Sequence, residues 1–211
     1  MKEELQIIVC LKQVPDPEGP PSAFVVDSGV KRVIPRGIPP VISPFDENAL
    51  EAALRIKDAH KSRITVISLG AGVALPVLRK ALAAGADDLI VLQDESFAPE
   101  QMDSYSTACS LAAAIKKVGQ YDLVFTGRQA ADWNAGQVGL GIAEILGIPA
   151  ISLARKVTLE NEGVRVERVL PDGYEVVRAQ MPVLITVSNE VGDLRYPKIR
   201  DLMEARQKPV T

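Results

Sequence analysis

The sequence predicts an α/β protein: a parallel sheet in residues 1–149, with antiparallel hairpins appended in residues 150–211 of the same domain. Three features predict this fold. Short, continuous apolar runs are typical of strands covered on both faces. Segments with helical periodicity alternate with these runs, as in right-handed βαβ units. After Pro149 the alternation stops, and short runs follow one another without an intervening helix.

The first predicted strand is Gln6–Leu11 (QIIVCL). Lys12–Pro21 contains four prolines and a glycine, so we expect a loop. Phe24–Ile34 has two short apolar runs around Asp27-Ser28-Gly29, which predicts a hairpin outside the main sheet. A helix is predicted from Ser43 as N-cap, because a proline follows it and Asp46 completes a capping-box-like pattern.

The remaining elements of residues 1–149 keep the strand and helix alternation. The predicted strands are Arg63–Leu69, Leu89–Leu92 and Leu123–Thr126, and the predicted helices are Leu75–Ala84, Ser104–Val118 and residues 136–146. Beyond Pro149 we expect antiparallel strands and a final charged helix. These are Val157–Val169 turning around Asn161-Glu162-Gly163, then Tyr174–Ala179, Val183–Val187 and the helix Lys198–Gln207.

Composition excludes several classes of function. The net charge is -3 and aromatic residues make up 4% of the chain, so a nucleic-acid-binding surface is not expected. No apolar run approaches the roughly 20 residues that span a bilayer, and the N-terminus lacks the pattern of a signal peptide. Two distant cysteines and one histidine give no metal-binding cluster, and the cysteines are expected to be reduced. We expect a cytoplasmic protein without membrane insertion.

The candidate site is the stretch Asp122–Gly139. Its strand breaks at Gly127, crosses a polar loop, and enters a helix at about Gly136. Loop amides and a helix N-terminus both present donors to an anion, and ligands of open α/β sheets sit at the carboxyl ends of strands. Arg128 can neutralise phosphate, and three side-chain amides can read a base or ribose edge. A polar surface loop with a glycine-rich cap explains the composition equally well.

A second glycine turn, Gly70-Ala71-Gly72, follows another predicted strand. It can let a nucleotide approach the backbone closely, although a plain tight turn explains it better. Neither the dinucleotide fingerprint GxGxxG nor the pattern GxxxxGK[ST] is present. The chain also lacks GxSxG and a Cys/His pair at plausible positions, so we predict no catalytic residues.

Six blocks of sequence resemble the beta subunits of electron-transfer flavoproteins. They are LQIIVCLKQVPD (Leu5–Asp16), ISPFDENALEAALRIKD (Ile42–Asp58), KALAAGADDLIVL (Lys80–Leu92), DLVFTGRQAADWNAGQVG (Asp122–Gly139), LPDGYEVVRAQMPVLITV (Leu170–Val187) and LRYPKIRDLMEARQKP (Leu194–Pro209). The resemblance implies an adenine nucleotide alpha hydrolase-like fold and an electron carrier subunit rather than an enzyme. It also implies a partner, an alpha subunit with which the chain shares an FAD. The beta pocket would hold AMP or a second FAD, and the electrons would come from acyl-CoA or other dehydrogenases.

The resemblance also assigns residues. The nucleotide would contact Cys10, Ser43, Pro44, Phe45, Asp46, Gly70, Ala71, Gly127, Arg128, Gln129, Ala130, Ala131, Asp132, Trp133, Asn134, Ala135, Gly136, Gln137 and Val138. The loop that recognises partner dehydrogenases would be Glu190–Arg195, in which Glu190 and Arg195 would contact the partner and Val191 would be the apolar anchor. The alternative interpretation of Val191 is an ordinary exposed valine at a strand end. The run Asp132–Gly136 (DWNAG) departs from the Asp-Gly-Asp-Thr-Ala more usual in the bacterial branch.

Two other classes of protein share features of this pattern. One is a stand-alone nucleotide-binding regulatory module of the universal-stress-protein type, which would lack redox function. The other is an ATP-dependent adenylating enzyme, which needs a Ser-Gly-Gly-x-Asp-Ser loop after the first strand. Lys12–Asp16 (KQVPD) occupies that place and cannot supply the same amide cradle.

Overall fold

The computed structural model describes residues 4–29, 31–99, 101–161 and 163–211. Within those ranges the strands are β1 (Leu5–Cys10), β2 (Gln13–Pro15), β3 (Phe24–Asp27), β4 (Arg32–Pro35), β5 (Pro40–Ile42), β6 (Ser62–Gly70), β7 (Asp88–Gln93), β8 (Leu123–Gly127), β9 (Ala150–Glu160), β10 (Gly163–Leu170), β11 (Gly173–Gln180) and β12 (Val183–Val187). The α-helices are α1 (Pro44–Ala59), α2 (Leu75–Ala84), α3 (Ser104–Val118), α4 (Val138–Leu146) and α5 (Ile199–Gln207).

An eight-stranded sheet in the order β11-β10-β9-β12-β8-β1-β6-β7 forms the centre of the protein. Strands β12, β8, β1, β6 and β7 run parallel, and the start of β9 pairs in parallel with β12. The far part of β9 continues into an antiparallel meander with β10 and β11. The predicted fold class, a parallel sheet with appended antiparallel hairpins, is therefore confirmed.

Helices cover both faces of the sheet. Alternate side chains of β1 point to opposite faces: Ile7 and Val9 join the core under α1 and α2, whereas Ile8 and Cys10 join the core under α3 and α4. Helix α5 contributes Ala205 to the first of these cores. A strand buried on both faces must be apolar at almost every position, which is why β1 reads as a continuous hydrophobic run.

The chain leaves two neighbouring strands in opposite directions. After β1 it continues to α1 on one face, and after β8 it continues to α4 on the other face. Because β1 and β8 are paired side by side, the segments that follow them separate at the carboxyl edge of the sheet. Such a topological switch point opens a crevice where ligands of α/β proteins bind.

Several predicted elements are confirmed. Helices α2 and α3 have the predicted bounds, and β3 pairs with β4 in a two-stranded sheet separate from the main one. The segment predicted as loop after β1 differs in part, because β2 pairs there with β5 over three residues. Within the described ranges, no helix is both long and apolar enough to cross a membrane.

The prediction for Val183–Val187 was wrong. We expected an antiparallel hairpin strand, but β12 lies inside the main sheet, parallel to both β8 and β9. All five of its residues are buried. The continuous apolar run VLITV has the pattern of a strand covered on both faces, which agrees with this position inside the sheet. Glu162, the middle residue of the turn predicted before β10, lies outside the described residues, as do Met1–Glu3 and Val30.

Candidate functional site

A cavity of about 570 Å³ opens at the crevice between the segments that follow β1 and β8. Thirteen of the residues predicted to bind a nucleotide line it: Cys10, Asp46, Gly70, Ala71, Gly127, Arg128, Gln129, Ala130, Trp133, Ala135, Gly136, Gln137 and Val138. Six others, Ser43, Pro44, Phe45, Ala131, Asp132 and Asn134, are not among its lining residues. The two glycine-containing segments singled out in the sequence thus lie on one cavity.

Two further parts of the wall were not predicted from the sequence. Lys12 and Gln13 follow β1 and line the cavity. The other part is the connection from β7 into α3, which contributes Phe97, Pro99, Met102, Asp103, Ser104 and Thr107. Its position was inferable, since it follows a parallel strand at the same edge of the sheet and ends in a helix N-cap. That N-cap is Asp103, whose carboxylate accepts a hydrogen bond from the Ser106 amide at 2.7 Å.

Asp46 joins the two strands that border the crevice. Its Oδ2 accepts a hydrogen bond from the Lys12 amide at 2.8 Å, and its Oδ1 accepts one from the Gly127 amide at 3.0 Å. These are the amides at which β1 and β8 begin to separate, and they need an acceptor that the sheet no longer supplies. Burial raises the pKa of Asp46 to about 7, although both amides and the charge of Lys12 act in the opposite direction.

The capping box predicted at the start of α1 does not form. Ser43 is the N-cap, but its side chain does not cap the helix. Its hydroxyl instead accepts a hydrogen bond from the Ala131 amide at 3.3 Å. Both side chains expected to cap the helix therefore hold cavity segments that are distant in sequence, and the helix start supports the Gly127–Val138 loop from behind.

Gly127 is required by close packing. A Cβ atom at this position would lie 2.6 Å from Asp46 Oδ1 and 2.6 Å from the backbone carbon of Phe45. Since that second contact is with backbone, a larger residue would have to displace the start of α1. The glycine therefore brings the end of β8 directly against α1.

The helix after the loop starts later than predicted. We expected Gly136 to open it, but α4 begins at Val138 with Gln137 as N-cap. Gly136 precedes the helix with φ +67°, a left-handed conformation that favours glycine. The side chain of Gln137 makes no capping hydrogen bond, so the N-cap residue leaves the first amides of α4 without the acceptor that an N-cap side chain would give.

The polar side chains of the loop make few contacts with one another. Arg128 stacks its guanidinium 4.5 Å from the centre of the Phe45 ring, and its buried Nε has no hydrogen-bond partner among the described residues. Gln129 donates to Asn134 at 2.8 Å, which engages two of the amides expected to read a ligand. Trp133 stands at the rim with 67% of its surface exposed. Arg128 lines a cavity that is also bordered by a helix start whose N-cap side chain makes no capping hydrogen bond, and a guanidinium and helix N-terminal amides both suit an anion.

Residues 30–211 match the family described as electron transfer flavoprotein domain. The chain belongs to the electron transfer flavoprotein family. A relative named electron transfer flavoprotein subunit beta, from Thermoanaerobacterium thermosaccharolyticum, is 44% identical over 97% of this chain and 76% of its own length. The caffeyl-CoA reductase-Etf complex subunit CarD of Acetobacterium woodii is 39% identical over 98% of this chain and 77% of that protein. Protein FixA of Azorhizobium caulinodans is 37% identical over 98% of this chain and 74% of that protein.

These comparisons confirm the family predicted from the sequence. With it they support an electron-transfer role for the chain. The cavity lining includes Cys10, which is 6% exposed. Burial, with the nearby charge of Asp46, raises the pKa of its thiol to about 12, so the sulfur stays protonated and acts as a small apolar contact.

The predicted recognition loop is held by the chain itself. Both interpretations of Val191 expected an exposed side chain, which is wrong: it is 5% exposed and packs in the core under α1. Arg195 forms ion pairs with Glu51 at 3.0 Å and with Asp58 at 2.8 Å. Glu190 lies 3.7 Å from Arg155. A role of this loop in binding a dehydrogenase stays a prediction, with Glu190 as its most accessible predicted member.

Proposed function

We propose that this electron transfer flavoprotein binds an adenine nucleotide, AMP or FAD, in the cavity between β1 and β8. The observation that carries this function is the meeting of the Gly70–Gly72 turn and the Gly127–Val138 loop on one cavity at the switch point of the sheet. Each segment alone is explained by an ordinary turn or cap. Together, at the carboxyl edge of a parallel sheet, they have the arrangement that nucleotide sites of this fold class use.

The phosphate groups would lie at the start of α4. Its first amides have no side-chain cap, and Gly136 leaves room for close approach of the backbone. Arg128 also lines the cavity and would add a positive charge there. Helix dipole, free amides and guanidinium all favour an anion at the same place.

The adenine and ribose would extend along the wall formed by the connection from β7 into α3 and by α3 itself. That wall includes the apolar side chains of Phe97, Pro99, Met102 and Leu111. Apolar walls combined with a few placed polar groups are typical of small-molecule sites. The nucleotide released from the purified complex distinguishes AMP from a second FAD as the occupant.

The partner that we propose is an alpha subunit, with which the chain would share the FAD of the main carrier site. Three relatives are named as beta subunits or as part of a reductase-Etf complex, which supports such a partner. Electrons would come from an acyl-CoA or other dehydrogenase and leave for a downstream acceptor. The flavin supplies the redox chemistry, while the residues described above bind and orient. The cytoplasm is the proposed location, consistent with two free cysteines.

Co-expression with the alpha subunit tests this function. The purified complex should carry flavin absorbance, and nucleotide released by denaturation should be AMP plus FAD, or FAD alone at two per complex. Gly136→Asp should abolish retention of the second nucleotide by placing a like charge beside its phosphate, whereas Gly136→Asn, with the same backbone strain, should largely preserve it. A complex that lacks any nucleotide beyond the shared FAD, or equal retention in both variants, would refute the assignment of the cavity.

A further inference from the structure

Lys12 and Gln13 stand between the two walls of the cavity, directly after β1. On one side, Lys12 Nζ lies 2.7 Å from Asp132 Oδ2 in the Gly127–Val138 loop. On the other side, the Gln13 carboxamide bonds the Gly70–Gly72 turn and the start of α2. The backbone between them is fixed by Asp46, which accepts the Lys12 amide at 2.8 Å. Two adjacent side chains therefore connect the two segments that the cavity separates.

We propose that Lys12 and Gln13 form a clamp across the cavity that fixes the separation of its walls and thereby sets how slowly a bound nucleotide is released. Both are positioning residues in this assignment, because they act through the turn and the loop that would contact the ligand. The inference rests on the nucleotide site proposed above and adds the residues that control retention at that site.

Gln13 uses both ends of its carboxamide. Its Nε2 donates to the Gly72 carbonyl at 3.1 Å, and its Oε1 accepts from the Ala74 amide at 2.6 Å. Ala74 is the N-cap of α2 and has no capping side chain of its own. Gln13 thus supplies from a distant strand the acceptor that the N3 side chain of a capping box would give to the N-cap amide, and the same carboxamide bonds the glycine turn. An amide is needed, since a carboxylate cannot donate and an ammonium cannot accept.

The ion pair of Lys12 works on the opposite wall. Lys12 lines the cavity, whereas Asp132 is not among its lining residues. The two side chains are 38% and 23% exposed, so the pair is partly screened by solvent. An ion pair with this exposure contributes modestly to global stability, but it can still decide whether a short loop stays closed. Its strength should therefore depend on salt concentration.

A charge exchange tests the Lys12 half of the clamp in the complex with the alpha subunit. Lys12→Glu and Asp132→Lys should each release the second nucleotide about fivefold faster, the upper range for a partly exposed pair. The double variant, Lys12→Glu with Asp132→Lys, should return to within about twofold of wild type. If Lys12 instead held the phosphate directly, the double variant would release as fast as the Lys12→Glu variant, and that result would overturn the clamp.

A matched ion pair outside the cavity serves as the control. Arg168 and Glu175 lie 2.8 Å apart on the β10–β11 hairpin, with side-chain exposures of 38% and 43%. Exchanging those two charges should leave the release rate unchanged. Raising the salt from about 0.05 to about 0.5 M should bring the wild-type release rate toward that of Lys12→Met, because screening weakens the pair only where the pair exists. A constant ratio between these two rates across that range would contradict the proposed role.

The Gln13 half has a readout that a general loss of stability would not produce. In Gln13→Met the Ala74 amide loses its acceptor, so its hydrogen exchange should accelerate and nucleotide release should be faster. Gln13→Glu keeps the acceptor and loses only the donor. Hydrogen exchange at the Ala74 amide should therefore stay slow, and the rate of nucleotide release should lie between those of wild type and Gln13→Met. Unchanged hydrogen exchange at Ala74 in Gln13→Met would overturn this half.

A wild-type complex without a second nucleotide would overturn the nucleotide site and the clamp together, whereas variants that retain nucleotide like wild type would overturn the clamp alone.

Discussion

Replacing Gly127 with alanine tests whether the contact between β8 and α1 organises the cavity. The added Cβ would lie 2.6 Å from Asp46 Oδ1, 2.6 Å from the Phe45 backbone carbon and 2.8 Å from the Phe45 Cβ. Ordinary van der Waals contacts of a Cβ begin near 3.4 Å. The start of α1 must therefore move away, which strains or breaks the 3.0 Å bond from the Gly127 amide to Asp46.

The expected loss combines overpacking, about 1–3 kcal/mol, with partial loss of a buried hydrogen bond, about 1 kcal/mol, so we expect about 3 kcal/mol in total. For a chain of this length that corresponds to a fall in melting temperature of roughly 6–12 °C, measurable by calorimetry. Gly72→Ala is the matched control, because a Cβ there meets no atom of the described residues within 4 Å. It should stay within about 0.5 kcal/mol of wild type. A Gly127→Ala variant that melts like wild type would refute the close-packing argument.

Three further predictions concern other groups. For Asp46, the pKa of about 7 exceeds the ordinary 3.8, so the folded state holds this proton more tightly and its contribution to stability should fall as pH rises from about 4 to 7. The free energy of unfolding measured in urea should decline by at most about 4 kcal/mol over this pH range, and by less in Asp46→Asn. An equal dependence of this free energy on pH in both proteins would contradict the prediction. Arg195→Ala should lower the free energy of unfolding by about 2 kcal/mol, less than for a fully buried pair because Arg195 is 34% exposed. This loss should become smaller below pH 4.5 as Glu51 protonates. An unchanged melting temperature at neutral pH would rule the prediction out. Trp133, the single tryptophan of the chain, lines the cavity, so added AMP or FAD should change its fluorescence. Constant fluorescence during titration with a nucleotide whose binding is detected by calorimetry would argue against this placement of Trp133.

Elements with strong local signals were predictable from the sequence. Helices α2 and α3 have clear apolar periodicity and end at Gly85 and Gly119, so local rules were enough to give their bounds. The alternation of strands and helices likewise predicted the parallel sheet. For the site, the same rules predicted the Gly127–Val138 loop and the Gly70–Gly72 turn, because glycines and polar residues at the ends of strands are visible in a single sequence.

Contacts between distant segments were not predictable in this way. The pattern Ser43 to Asp46 has the local form of a capping box, yet the Asp46 carboxylate is used by Gly127, 81 residues away. Val191 looks like an exposed valine near a strand end, but α1 covers it. The partners of Gln13 lie about 60 residues beyond it. In each case tertiary neighbours compete with the local interaction and prevail, and their identity depends on strand order rather than on sequence spacing.

The strand order also has a consequence for biosynthesis. Strand β1 is central in the sheet, but one of its two neighbours, β8, emerges from the ribosome long afterwards. Gln6 and Asp122, which are hydrogen-bonded to each other, are 116 residues apart in the chain. The outer neighbour of β8, strand β12, follows some sixty residues later still. Until then a nascent chain presents the apolar edge of β1 without its partner, a state prone to slow folding and to association with other chains. Nascent fragments that end before Leu123 should therefore bind chaperones or aggregate, and protease resistance of β1 should appear only once β8 has been made.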